Sequence, residues 1–211
     1  MSKSTALARL RQVLAERTPQ LLAGSNKDVA AVAMVMRDAG SDLQVLFIER
    51  TERTDDPWSG HIAFPGGRLK DRAETPQAAA ERETREEIGI DLGESEYLGR
   101  LDDLSGSTLP VQVSGFAYLL ASAAPHEATH LESLEAAFTL NAEVRSAFWF
   151  NLTDLVDPQC HLRSRFSIGG REVLLPAIQM GKGKPLLWGL TYRFVMQVIE
   201  GLGIEIAGAT S

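Results

Sequence analysis

Apolar positions in this chain shift between a helical period and an alternating one, and the shifts mark its elements. Residues 4–16 carry Leu7, Leu10, Val13 and Leu14 on one helical stripe, with Arg9, Arg11 and Arg17 off it, which predicts an amphipathic scaffold helix. Two apolar runs follow, AAVAMVM within 28–37 and LQVLFI within 43–49. Their β-branched content and the intervening Asp38-Ala39-Gly40-Ser41-Asp42 turn predict a hairpin. A polar, turn-rich segment from Arg50 to Gly60 leads into a short strand, His61-Ile62-Ala63-Phe64. Residues 75–88 predict a second helix, with Thr75 at the cap, Pro76 at the first helical position and Gly89 as the stop. Strands are expected at 97–101 and 111–120, with Ser105-Gly106-Ser107 as a loop between them. The aromatic run Phe148-Trp149-Phe150 is expected to place Trp149 in the core, and an apolar helix runs from the Trp188 region to about Leu202.

Composition narrows the class. With 211 residues, 44% hydrophobic and 23% charged, the chain suits one domain with a sizeable core. A net charge of −7 argues against a nucleic-acid backbone as the main partner and leaves a nucleotide substrate open. The single cysteine, Cys160, excludes an intramolecular disulfide and suits a reducing compartment. Only the adjacent His161 could serve it as a base, so it is a poor candidate nucleophile. With no signal-peptide pattern and no apolar run long enough for a bilayer, the expected location is the cytoplasm, with no membrane partner.

The candidate chemistry sits between Phe64 and Ile90. On the second helix Glu83, Glu86 and Glu87 stand three or four residues apart at the C-terminal end, where like charges repel and the helix dipole adds to the cost. A divalent cation with oxygen ligands, Mg²⁺ or alternatively Mn²⁺, would resolve that conflict. The competing reading is a solvated face of alternating charge, with Arg82 and Glu86 as an ordinary ion pair. Against it stands the preceding loop, where Pro65, Gly66 and Gly67 end an apolar strand, allow close approach to a ligand and offer a carbonyl to the metal.

The order Gly67, Glu74, Arg82, Glu83, Glu86, Glu87, Gly89 resembles the Nudix box, G-x5-E-x7-R-E-U-x-E-E-x-G-U. Six residues rather than five separate Gly67 from Glu74, and Thr84 replaces the aliphatic U. The lengthened loop, the run Gly60 to Gly67 and the Trp188-Gly189-Leu190-Thr191 block resemble the coenzyme A diphosphatase-like branch of that family. Within that branch's upstream signature, Asp56 stands where an arginine is expected.

The resemblance implies an α/β fold, a Nudix-type α/β/α sandwich with a mixed β-sheet, over residues 28–211, preceded by an N-terminal helix and connection at 1–27. It implies a Mg²⁺-dependent hydrolase that cuts the phosphoanhydride of a nucleoside diphosphate linked to another moiety. Coenzyme A or a derivative is the leading substrate, and a nucleotide sugar, ADP-ribose or a catalytically silent nucleotide-binding module are the alternatives. Glu83, Glu86, Glu87 and the Gly67 carbonyl would hold the metal, and Arg82 would brace the carboxylates. Arg50, Arg53, Gly66 and Gly67 would contact substrate. A further acidic residue that assists metal or water would be Glu127, Glu132, Glu135 or Glu143, and Gly183 and Pro185 mark a loop bordering the site. His126 and His130 lack a convincing third ligand for zinc. The sequence leaves oligomeric state open, a homodimer included.

Overall fold

The hairpin expected from residues 28–49 forms the centre of the computed structural model, which describes residues 3–22, 28–53, 59–106, 111–121 and 138–206. Helix α1 (Lys3–Glu16) precedes β1 (Asp28–Asp38) and β2 (Leu43–Arg50), then come β3 (Ile62–Ala63), β4 (Gly66–Arg68) and helix α2 (Pro76–Ile88). Strands β5 (Glu96–Arg100), β6 (Leu104–Ser105), β7 (Val111–Leu119) and β8 (Val144–Asn151) follow, and β8 runs into the short helix α3 (Leu152–Leu155). The last elements are β9 (His161–Ile168), β10 (Arg171–Gln179), β11 (Leu186–Trp188) and helix α4 (Gly189–Gly201).

Among the described residues, β1 to β8 form one sheet with the path β3-β2-β1-β7-β5, while β9, β10 and β11 form a second. The pair β1 and β7 is parallel and the other pairs are antiparallel, so the sheet is mixed. Strand β1 divides one of its edges between two partners. Its C-terminal end pairs with β2 from Met36↔Val45 to Asp38↔Leu43, and its N-terminal end pairs with β4 from Ala30↔Arg68 to Val32↔Gly66. Strand β2 must therefore diverge from β1 after the hairpin, and the loop of residues 66–68 fills the opening.

Alternation along β1 sorts the core into two layers. Ala31, Ala33 and Val35 face Ala79, Ala80 and Ile88 of α2, while Met34 and Met36 belong to the apolar cluster that holds Leu10 and Leu14 of α1 and Phe194, Val195 and Ile199 of α4. Alanines on both β1 and α2 let helix and sheet approach closely. The expected α/β/α sandwich with a mixed sheet is thus what forms. One element differs from the sequence expectation, and another lies where none in particular is expected from the sequence. Leu104–Ser105, expected at the start of a loop, pairs with β7 where β5 has already ended. Residues 161–179 form the hairpin β9–β10, turned at Gly169 and Gly170, whose φ of 56° and 76° fit a two-residue hairpin loop of the primed type.

Helix α2 carries the caps expected of it. The Thr75 hydroxyl accepts from the Ala78 N–H at 3.2 Å, and Gly89 closes the helix in the left-handed region with φ 77°. The last carbonyls are taken up by a returning segment, Thr139 N–H donating to Ile88 O and Asn141 N–H to Glu87 O. Thr84, at the aliphatic position of the motif, is fully buried and donates its hydroxyl to Ala80 O at 2.7 Å, so its own helix satisfies the polar atom. Replacing Thr75 with Ala should lower stability by about 1 kcal/mol in urea unfolding, and Thr75→Ser should retain most of it.

Candidate active site

The two glycines of β4 set the site, because Gly66 admits no side chain against the neighbouring backbone and a side chain at Gly67 would displace the Glu83 carboxylate. A Cβ on Gly66, at φ 155°, would lie 2.2 Å from Ala31 O, and one on Gly67 would lie 2.5 Å from the Glu83 carboxylate. The Gly66 N–H donates to Glu87 Oε2 at 2.8 Å, which ties the strand to the helix. Glu87 is 1% exposed. Burial pushes its carboxyl up to about 8, with Gly66 N–H and Arg50 drawing it down and Glu83 and Glu143 adding to the rise. Arg50 is the nearby cation, its Nη1 3.8 Å from Glu87 Oε1.

Arg82 organises the other carboxylates. Its Nε and Nη2 donate to the two oxygens of Glu74 at 2.8 and 3.1 Å, a bidentate pair, and Nη1 donates to Glu83 at 2.8 Å and Glu86 at 3.1 Å. Nη2 also reaches the Arg68 carbonyl at 3.1 Å. Hydrogen bonds from Arg82, joined by the Lys70 N–H, hold the Glu74 carboxyl below the usual carboxylate range. Within the loop that precedes Glu74, Asp71 Oδ1 accepts from the N–H groups of Ala73 and Glu74. With six residues between Gly67 and Glu74, Glu74 still meets the arginine.

The sequence places Glu83, Glu86 and Glu87 on one face, and the structure separates them. Glu83 and Glu86 turn to Arg82, Glu86 with half its side chain exposed, while Glu87 turns inward to Gly66. Among the described residues no set of three His, Cys, Asp or Glu side chains is gathered in metal-holding geometry. The reason is that each carboxylate follows its nearest positive partner, one guanidinium for two of them and a backbone N–H for the third. The donor chemistry nevertheless fits a hard divalent cation, since carboxylate oxygens of one helix meet a glycine backbone that only the absence of a Cβ allows so near to Glu83.

Arg53 sits farther out. Its Nη1 lies 3.6 Å from Glu143 and its Nη2 donates to Ala142 O at 3.2 Å. Glu143 thus joins the rim, its own carbonyl accepting from Thr51 N–H. Glu127, Glu132, Glu135, His126, His130 and Asp56 lie outside the described residues. Trp149 packs against the α2-side core with the Arg37 guanidinium 4.2 Å over its ring. Burial raises the Cys160 thiol, against a nucleophilic role. Sequence reasoning passed over Glu49, Arg145 and Lys184, which meet where β2, β8 and the loop before β11 converge. No motif marks them, because they come together only through strand pairing and that loop.

Comparison with known proteins identifies the family and agrees with the fold. The model of the NUDIX domain family matches residues 27–168. An uncharacterized protein of Schizosaccharomyces pombe is 36% identical over 121 residues, 56% of this chain and 35% of the relative, so the match spans about a third of that protein's length. Among solved structures, a MutT/nudix family protein from Enterococcus faecalis aligns over 96% of this chain and 75% of its own, at 19% identity and a TM-score of 0.54. The NUDIX domain of Shewanella oneidensis NrtR, complexed with ADP ribose, aligns over 90% of this chain and 97% of its own, at 17% identity and a TM-score of 0.52. The chain belongs to the NUDIX domain family. Among the described residues no helix is long and apolar enough to cross a membrane.

Because burial raises the Glu87 carboxyl to about 8, the folded chain keeps it largely protonated at neutral pH while the unfolded chain ionises it, and Glu87→Gln removes the cost of taking up that proton on folding. In metal-free buffer at neutral pH the variant should unfold at the same or a higher urea concentration than the parent. A clear loss of stability would mean that the ionised carboxylate contributes to the fold.

Proposed function

We propose that the protein is a Mg²⁺-dependent hydrolase of phosphorus-containing anhydrides, cutting the diphosphate of a nucleoside diphosphate linked to another moiety. The observation that carries this reading is the Arg82 guanidinium, bonded at once to Glu74, Glu83, Glu86 and the Arg68 carbonyl. A purely structural ion pair would need one such partner. In this reading Glu83, Glu86, Glu87 and the Gly67 carbonyl would hold the metal, and residues 28–211 are the hydrolase domain with 1–27 as its N-terminal helix and connection. When bound there, Mg²⁺ or Mn²⁺ neutralises diphosphate charge and acidifies water.

The chain's own residues supply orientation and charge. Arg82 fixes the carboxylates of Glu83 and Glu86 before substrate arrives, so less reorganisation is left for the reaction. Arg50, beside Glu87, and Arg53, on the rim with Glu143, offer positive charge to the phosphates. Of the four late acidic candidates Glu143 is the one within the described residues, and it acts in this reading as the further carboxylate that orients water or metal. The Gly66 and Gly67 backbone leaves room for a phosphate to approach.

Coenzyme A or a derivative is the substrate favoured by the Gly60 to Gly67 run, the six-residue loop before Glu74 and the Trp188-Gly189-Leu190-Thr191 block. ADP-ribose is the second reading, favoured by the ADP ribose complex of the Shewanella NUDIX domain, which shares the fold. Rates on coenzyme A, 3′-dephospho-coenzyme A, ADP-ribose and UDP-glucose, with and without Mg²⁺, decide between them. A kcat/KM about tenfold higher for ADP-ribose or UDP-glucose than for both coenzyme A forms overturns the leading substrate. Absence of Mg²⁺-dependent turnover on the whole panel favours a silent binding module.

Glu83→Gln and Glu87→Gln should each lower kcat by about 10²-fold or more at saturating Mg²⁺, and near-normal rates in both would remove the metal assignment. Arg50→Ala should raise KM more than it lowers kcat if Arg50 holds the phosphates equally in the ground and transition states.

A further inference from the structure

A second charged feature lies next to the acidic site and is used by nothing described so far. An open cavity of about 600 Å³ is lined by Glu49, Arg145, Lys182, Gly183, Lys184 and Pro185. Three cationic side chains face one carboxylate there, in a protein whose net charge is −7. The concentration of positive charge is therefore local and runs against the composition of the chain.

The lining is built by specific backbone features. Register between β2 and β8 slips at Glu49 and Arg50, so that Glu49 pairs with Ser146 and Arg50 with Val144. Arg145 is the residue left over, the bulged position at which a strand re-aims a side chain. Its Nη1 contacts Glu49 at 3.3 Å and Glu52 at 3.4 Å, while its Nε and Nη2 have no protein partner among the described residues. The opposite wall is the Gly181-Lys182-Gly183-Lys184-Pro185 turn between β10 and β11, whose two glycines adopt φ of 97° and 81°. That turn holds Lys184 Nζ 3.1 Å from Ser146 Oγ, 3.6 Å from Glu49 and 4.4 Å over the Phe148 ring. Lys182 is exposed beside it.

Glu49 is the keystone of this arrangement. It is 8% exposed and accepts from Arg145 and from the Ser146 hydroxyl, with Lys184 beside it. One buried carboxylate thus steadies two cations that line the cavity, Arg145 with more than half of its side chain exposed and Lys184 with about a third. Charge and geometry suit a compact dianion with several oxygens, which can accept a guanidinium on one side and two ammonium groups on the other. Its chain neighbour Arg50 turns to Glu87, so the cavity and the acidic site meet at consecutive residues of one strand.

We propose that this cavity binds a phosphomonoester, and that it selects substrates carrying one away from the scissile diphosphate. The substrate half of this inference rests on the hydrolase reading, and the binding half does not. The phosphate could equally arrive as a free anion, and two measurements separate the sources. The first is the kcat/KM ratio of coenzyme A to 3′-dephospho-coenzyme A, which differ by one phosphomonoester. The second is titration of the full chain with inorganic phosphate, without metal, followed by calorimetry. Both are made on the parent and on the double variant Arg145→Gln, Lys182→Ala, which changes exposed side chains and spares Glu49 and Lys184.

The parent should prefer the phosphorylated substrate by about tenfold or more, and the double variant should bring the ratio to within about twofold of unity. Weakening of inorganic phosphate binding by about fivefold or more in the variant supports the site independently of turnover. If phosphate binding weakens while the substrate ratio stays the same, the cavity takes a free phosphate and the substrate half of the proposal falls. If the double substitution changes neither quantity, the proposal is overturned. Should the protein hydrolyse neither substrate, the hydrolase reading fails on its own and the phosphate titration still decides the cavity.

Discussion

One guanidinium makes the rest of the site possible. A helix that ends in Glu83, Glu86 and Glu87 gathers negative charge at the negative end of its own dipole, and left alone it would fray or tilt away from the sheet. Arg82 offsets this by bonding to two of those carboxylates, to Glu74 and to the Arg68 carbonyl, which also fastens the helix to the loop that precedes it. Lysine could not replace it, because the bidentate grip on Glu74 needs the flat fork of a guanidinium. Glu87 escapes this network and is secured separately, by the Gly66 N–H.

That second tie explains why β1 shares an edge. If β2 ran alongside β1 for the whole length of both strands, no backbone donor could reach Glu87 from this side. Divergence of β2 opens the edge, and β4 enters and pairs from Ala30↔Arg68 to Val32↔Gly66. Only glycine fits at Gly66, where Ala31 O lies 2.2 Å from a Cβ, and a Cβ at Gly67 would push the Glu83 carboxylate aside. Packing, hydrogen bonding and charge therefore meet in three residues of backbone.

Much of this was legible in the sequence, and the limits follow from physics. The helix from Thr75 to Gly89 could be read because caps and stops are local, and the paired carboxylates and Arg82 follow from helical spacing alone. The side-chain directions could not be read that way. Three glutamates on one face were expected to converge, whereas Glu86 stays half exposed with Arg82 and Glu87 is buried against Gly66, a distinction set by the sheet that the helix lies on. The β9–β10 hairpin had a local signal, Gly169-Gly170 between two alternating runs, which the more distinctive motifs overshadowed. Glu49, Arg145 and Lys184 had none, because their meeting depends on one extra residue in β8 and on a turn some 40 residues later.

The same strand carries both charged regions, and this gives them a common origin. Along β2 the side chains alternate between the two faces of the sheet, apolar from Val45 to Ile48, and at the rim the alternation continues with charge in Glu49 and Arg50. Burying a carboxylate at Glu49 demands cations on its side, which Arg145 and Lys184 supply, and burying Glu87 across the sheet asks for a cation on the other, which Arg50 supplies. The bulge in β8 is what lets both demands be met at once, since an unbroken ladder would keep Arg145 in the regular alternation of the strand. A change of register at this one point would disturb the acidic site and the basic cavity together, so the two are coupled through backbone pairing even though no side chain of one need touch the other.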